Sequence, residues 1–241
     1  MIRTELGKKT LICDITRKSA LYINQLKLNP KSLANQALQY ESENNDDSNI
    51  FQLVRTFTPF YRINQENQEF IQTINKRKIQ KQNDAFYNQI WKTDIAKLSK
   101  AESYLQYKDN IRMEKYLTSL KNTKHRKALT RLRLSCHPLM IEKGRHRKPP
   151  LERSERKCPF CKSLVESELH FIVTCPKYEN ERTLLFRACT ENSIHFEVLS
   201  NESKFIFIMS NEDMNISSAL GSYTFNCMKL REVEINLLQP I

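Results

Sequence analysis

Cys158, Cys161, His170 and Cys175 follow one another at the spacing C-x2-C-x8-H-x4-C. Three thiolates and an imidazole make a soft, tetrahedral donor set, the Cys3His pattern of structural zinc sites. A site of that kind leaves no coordination position open, so the pattern predicts a folded binding module rather than a catalyst. Cys158-Pro159-Phe160-Cys161 reads as a tight turn that grips a metal, and the His/Cys pair follows closely enough to close one loop. The competing reading takes the same residues as small buried thiols plus an ordinary half-buried imidazole on Leu169-His170-Phe171-Ile172. The x8 loop is also longer than that of a minimal zinc knuckle. Cys13, Cys136, Cys189 and Cys227 lack comparable spacing and read as buried thiols.

The elements that position these ligands carry an uneven charge. Over 241 residues the formal net charge is +12. Between Lys121 and Lys157 stand thirteen Lys and Arg against Glu142, Glu152 and Glu155, a local excess of ten. That segment also holds His125, His137 and His146 and leads directly into Cys158. A basic run is often only a solvated face. Beside a metal module it points instead to a polyanionic partner, most simply nucleic acid, RNA or DNA. The start of the chain has no apolar leader segment and no run approaches a membrane span, so an intracellular protein, nuclear or cytoplasmic, is expected without a membrane partner. An odd count of seven cysteines fits reduced thiols and metal ligands.

Only three glycines are present, which excludes a Gly-rich phosphate loop and leaves little room for hairpins. The expected fold is mainly α. A helical region (residues 1–120) precedes a basic helix with a small CCHC module (121–190) and C-terminal helices (191–241). Asp14 is expected to cap a helix running to about Leu26, and Pro30 to open another through Leu38 and Tyr40. Glu41 to Ser48 reads as a polar linker, its Asp46-Asp47 pair a solvated turn rather than a catalytic site. Ile50 to Phe60 reads as a short helix. Helical spacing returns from about Gln65 to Lys97 through Phe70, Ile74, Phe86, Ile90, Trp91 and Ile95, with a second basic patch at Lys76-Arg77-Lys78 and Lys81. Lys124 to Leu134 reads as an amphipathic helix with Leu129, Leu132 and Leu134 inward and Lys124, Arg126, Lys127, Arg131 and Arg133 wet. Gly144 stops the next segment, and Arg145-His146-Arg147-Lys148-Pro149-Pro150 is an extended basic loop. Helices are expected from Pro176 through Phe186, over Glu202–Met209 and over Asp213–Glu234. Cys136 beside His137 suggests a thiol nucleophile, but adjacent residues do not face each other and no orienting group is evident.

The stretch from Arg126 to Arg182 resembles the region C-terminal to the reverse transcriptase in non-LTR retrotransposon polyproteins of animals. The resemblance is carried by Arg126, Leu129, Leu132, Arg133, His137, Leu139 and Ile141-Glu142-Lys143-Gly144-Arg145. It continues through Cys158, Cys161, Glu166, Glu168, His170-Phe171, Cys175, Tyr178 and Arg182. Ile2-Arg3-Thr4-Glu5-Leu6-Gly7-Lys8 looks like a recurring segment at the polymerase boundary, so a weaker likeness covers nearly the whole chain. It implies a Zn2+ ion held by Cys158, Cys161, His170 and Cys175, and nucleic-acid contact from Lys124, Arg126, Lys127, Arg131, Arg133, Arg145, Arg147 and Lys148. Polymerase and endonuclease activities belong to other domains of that family, so a free-standing, non-catalytic C-terminal piece is expected. Two alternatives stay open: a zinc-stabilised protein-interaction module, with a separately encoded reverse transcriptase as partner, and a decayed element fragment without selected function.

Overall fold

The computed structural model describes residues 1–44 and 76–238. Helix dominates them, and β pairing among the described residues is confined to two isolated bridges, Leu6 with Met113 and Lys157 with Val165. The fold is therefore mainly α, as the periodicity and the scarcity of glycine indicate. By contacts the chain separates into two compact units, Lys8–Asp94 and a larger one made of Met1–Gly7 with Ile95–Ile241.

The smaller unit is built from α1 (Leu11–Lys27), α2 (Leu33–Asn44) and most of α3 (Lys76–Ala96). Asp14 is not the cap of α1 but lies in its first turn, where a carboxylate suits the positive end of the helix, and it pairs with Arg17 at 3.8 Å. Pro30 precedes α2 rather than opening it; the cap is Ser32, whose Oγ accepts from the Asn35 N–H at 3.1 Å. Glu41 to Asn44 are helical, not linker, because a polar run can extend a helix whose remaining faces are already wet. The rest of that linker, its Asp46-Asp47 pair, the helix expected over Ile50–Phe60, and Phe70 and Ile74 lie outside the described residues. Cys13 and Tyr87 form the small buried centre of this unit, with Asn83 donating to the Cys13 sulfur at 3.0 Å.

In the larger unit the basic helix is α4, Thr123–Arg133. Asn122 caps it, its Oδ1 accepting from the Lys124 and His125 N–H groups at 3.0 and 3.3 Å. The helix ends in a Schellman turn, with Cys136 N–H on the Arg131 carbonyl and Ser135 N–H on that of Leu132. Ser135 takes the left-handed position, φ +52°, where glycine is usual. Its hydroxyl compensates by donating to the Lys100 carbonyl at 3.0 Å and to Glu168 at 3.2 Å. Three C-terminal helices follow: α5 (Glu179–Asn192), α6 (Asn201–Ser210) and α7 (Met214–Leu238). A Cβ on Gly221 would lie 2.9 Å from Leu120 Cδ2 and 3.2 Å from His125 Cβ, so glycine there lets α7 approach α4. One apolar core joins Leu129 and Leu132 of α4 to Phe171, Ile172, Leu185, Phe205 and Tyr223. The basic helix, the Cys/His segment and the C-terminal helices thus share a single packing unit.

Arg133, expected wet, is buried. Its Nε lies 3.2 Å from both Glu5 carboxylate oxygens, its Nη2 donates to Glu114 at 2.9 Å and its Nη1 to the Met209 carbonyl at 2.5 Å. The guanidinium also lies over the Tyr107 and Tyr116 rings, 4.7 and 5.3 Å from their centroids. Each charge there is paired and hydrogen-bonded, the condition under which burial of charge is tolerated. No helix among the described residues is long and apolar enough to cross a membrane.

Candidate metal centre and basic groove

Two short backbone devices gather the four sulfur and nitrogen donors. The first is a hairpin: Lys157 bridges to Val165, the Cys158 N–H donates to the Leu164 carbonyl at 2.9 Å, and the Glu166 N–H to that of Arg156 at 2.9 Å. Its tip folds back when the Lys162 N–H donates to the Cys158 carbonyl, with Lys162 itself left-handed at φ +58°. The second is a π turn, His170–Thr174, closed by the Cys175 N–H on the His170 carbonyl at 2.8 Å. That i→i+5 closure brings His170 at the start of the turn and Cys175 just past its end one turn apart. No periodic signal in the residues marks this turn.

The four donor atoms lie within 4.8 Å of one another, the one such Cys/His/carboxylate group found among the described residues. Cys158 Sγ and Cys175 Sγ are 3.9 Å apart, and Cys161 Sγ is 3.4 Å from His170 Nε2. Tetrahedral zinc with ordinary bond lengths requires S–S and S–N edges of about 3.8 and 3.5 Å. The residues fit such an ion. His170 Nδ1 is 3.0 Å from the Thr174 hydroxyl, which orients the ring and leaves Nε2 for the cluster. Cys158, His170 and Cys175 are buried and Cys161 is half-buried.

The charges of the cluster lean on one another. The Cys175 sulfur and burial together push the Cys158 thiol up to about 12. Cys175 itself is lowered, chiefly by its hydrogen bond with Cys158. Burial would raise Cys161, but hydrogen bonds from the Ser163 hydroxyl and nearby N–H groups outweigh it and the net shift is downward. His170 is raised because the neighbouring sulfurs outweigh its burial. Cysteine binds a soft divalent cation as the thiolate, so any of these thiols that is protonated would release its proton on binding.

The cluster is seated on buried, paired groups. Glu166 receives the Arg231 guanidinium through two 2.8 Å bonds and the Met140 N–H at 2.6 Å. Glu168 lies 2.9 Å from His137 Nε2 and accepts from the Ser103 and Ser135 hydroxyls. Arg182 donates to the Ile172 and Cys175 carbonyls at 2.7 and 2.6 Å, closing the exit of the π turn. Glu166, Glu168 and Arg182 thus hold the fold around the ligands.

His137 does have an orienting carboxylate, Glu168, which sequence inspection could not reveal across 31 residues. No thiol–imidazole dyad results. His137 Nδ1 has no hydrogen-bond partner, and the Cys136 sulfur lies 3.4 Å from the Leu134 carbonyl. Cys136 is exposed, against the expectation of a buried thiol.

The basic residues divide by position. Lys124, Lys127 and Arg131 are exposed on α4 and line an open groove of about 730 Å³. Lys143 and, from α7, Lys229 line it too, and neither is among the contacts expected from the sequence because they come from other elements. Arg126 is half-buried and donates to the Leu120 carbonyl at 2.9 Å. Arg145 is half-buried and pairs with Glu142 at 3.2 Å. Arg147 and Lys148 are exposed away from the groove. Arg133 is buried and paired with Glu5 and Glu114, so it is not on a surface that a phosphate reaches. The Lys76–Lys81 patch belongs to α3 in the other unit. Comparison with protein-family models, with curated proteins and with solved structures yields no match.

Proposed function

We propose that this chain is a non-catalytic nucleic-acid-binding protein whose binding unit is held in shape by one Zn2+ ion on Cys158, Cys161, His170 and Cys175. The donor geometry carries the metal half of the reading: four sulfur and nitrogen atoms within 4.8 Å of one another, with one S–S edge of 3.9 Å and one S–N edge of 3.4 Å close to those of a tetrahedral ion. Three cysteines and a histidine favour zinc over harder cations, and a closed set of four leaves no position for substrate. The polyanion half rests on the net charge of +12 and on the exposed cations of α4 packed into the same core as the cluster. Lysine and arginine would neutralise phosphates while the metal fixes the surface that presents them. The likeness of Arg126–Arg182 to the post-polymerase region of non-LTR retrotransposon proteins supports the same assignment and suggests a retroelement origin.

The test is a salt titration of RNA and DNA binding by purified, metal-loaded protein, with metal content measured on the same sample. One zinc per chain and a steep log–log salt dependence are expected, about 0.9 per neutralised phosphate on duplex DNA and about 0.7 on single strands. Absence of binding at low salt would remove the nucleic-acid reading and leave the interaction-module alternative.

A further inference from the structure

The groove between α4 and α7 has a composition that narrows the partner, an inference that rests on the nucleic-acid reading above. Lys124, Lys127 and Arg131 stand at i, i+3 and i+7 on one face of α4, and Lys229 faces them from α7. With Lys143 they make five cations, none in an ion pair among the described residues, against one acid of the lining, Glu232. The sixth cation of the lining, Arg231, is spent on buried Glu166. Between these rims lie Phe225 and Met228, both half-buried. The Phe225 ring carries the Lys229 ammonium at 5.5 Å from its centroid and lies 5.5 Å from the His125 ring.

A merely solvated basic face would not have an aromatic and a thioether along its floor. Cationic rims over an aromatic floor are the arrangement that tracks a single nucleic-acid strand, phosphates outward and a base stacked below. α4 and α7 pack directly on one another at Gly221 and His125, so the groove is an open furrow along their contact, and a base that stacks on its aromatic ring has to come from an unpaired strand. The geometry points to a single strand of RNA or DNA laid along this groove. Its phosphates contact Lys124, Lys127, Arg131, Lys143 and Lys229, and one base stacks on Phe225.

The experiment uses the full, metal-loaded chain and fluorescence anisotropy with labelled oligo-uridylate, oligo-thymidylate and a hairpin duplex of equal length. Single strands of both sugars should bind about ten-fold or more tighter than the duplex. Combined Lys127→Gln, Arg131→Gln and Lys229→Gln should lower the salt slope on single strands by about 2, since each lost contact removes about 0.7. Lys127→Arg with Lys229→Arg should keep the slope, and Arg147→Gln with Lys148→Gln should leave it nearly unchanged. Phe225→Leu should weaken single-strand binding about ten-fold with little effect on the slope. All variants are read only with unchanged metal content and helical signal. Tighter duplex binding, an unchanged slope in the triple variant, or equal displacement by polyglutamate would each overturn the groove assignment. Failure of the unaltered protein to bind any nucleic acid would instead overturn the reading beneath it, which keeps the two failures distinct.

Discussion

Replacing Arg133 by methionine separates a structural arginine from a phosphate contact. The side chain keeps its apolar stem, but Glu5 and Glu114 lose their shared cation. Those side chains are 2% and 13% exposed, so Glu5 in particular is left as a buried, uncompensated carboxylate. Removing one partner of a buried pair destabilises by about 3–5 kcal/mol, and the Met209 carbonyl loses its donor as well. That is a large share of the about 5–15 kcal/mol that holds an ordinary domain together. In a unit of this size it lowers Tm by about 6–20 °C, at about 2–4 °C per kcal/mol. Urea and thermal unfolding of metal-loaded protein, followed by circular dichroism, measure it directly. Lys127→Gln, exposed on the same helix, should change stability by no more than about 0.5 kcal/mol. Glu5→Gln combined with Arg133→Met should cost clearly less than the two separate losses added, because each removes the other's partner. A loss under about 1 kcal/mol for Arg133→Met would refute the network as drawn, and strict additivity would refute the pairing with Glu5.

Cys161→Ser should abolish stoichiometric metal and loosen the region from about Arg156 to Tyr178, seen as lost hydrogen-exchange protection, because the ion contributes folding free energy there; full zinc retention would sink the ligand set. Glu168→Gln should destabilise by about 1–3 kcal/mol at neutral pH, since His137, Ser103 and Ser135 lose an ionised acceptor. Burial works to raise the Glu168 carboxyl, but the His137 imidazole and the Ser103 hydroxyl outweigh it, so its pKa lies below the ordinary carboxylate value. A depressed folded pKa gives stability that is complete above the unfolded value of about 4.3 and is lost as pH falls through the folded one. Urea midpoints taken from neutral pH downward should therefore fall less steeply on the acid side in Glu168→Gln than in the unaltered chain; identical slopes would contradict the assignment.

Residue type and local spacing expose those parts of the molecule whose partners are near in sequence. The ligand set Cys158, Cys161, His170 and Cys175 spans a single short segment, and the structure brings its donors together. Helix α4 is legible from its inward leucines, and α6 and α7 fall within a few residues of the expected bounds. Arg133 was misread because amphipathic spacing reports which face is apolar, not which cation meets a carboxylate 128 residues away. Lys143 and Lys229 are absent from the expected contacts for the same reason: a groove wall is made by tertiary packing, and neither charge stands out as a contact on its own element. The π turn at His170–Thr174 had no periodic signature because it is one hydrogen bond out of phase with the α pattern around it.

The metal segment and the groove belong to one mechanical unit. Glu166 closes the hairpin that begins at Cys158, and its carboxylate is locked by Arg231 of α7. Arg231 sits two residues from Lys229, whose ammonium lies over Phe225 at the floor of the groove. On the other side of the cluster, Tyr223 of α7 donates to the Phe171 carbonyl within the π turn at 2.5 Å. Two side chains of α7, Arg231 and Tyr223, thus grip the two backbone devices that gather the ligands, one on each. A metal bound by the four donors would stiffen those devices and, through Arg231 and Tyr223, the placement of Lys229 and Phe225 opposite α4. On the proposed function its role would be positional, holding the surface in register without touching a ligand.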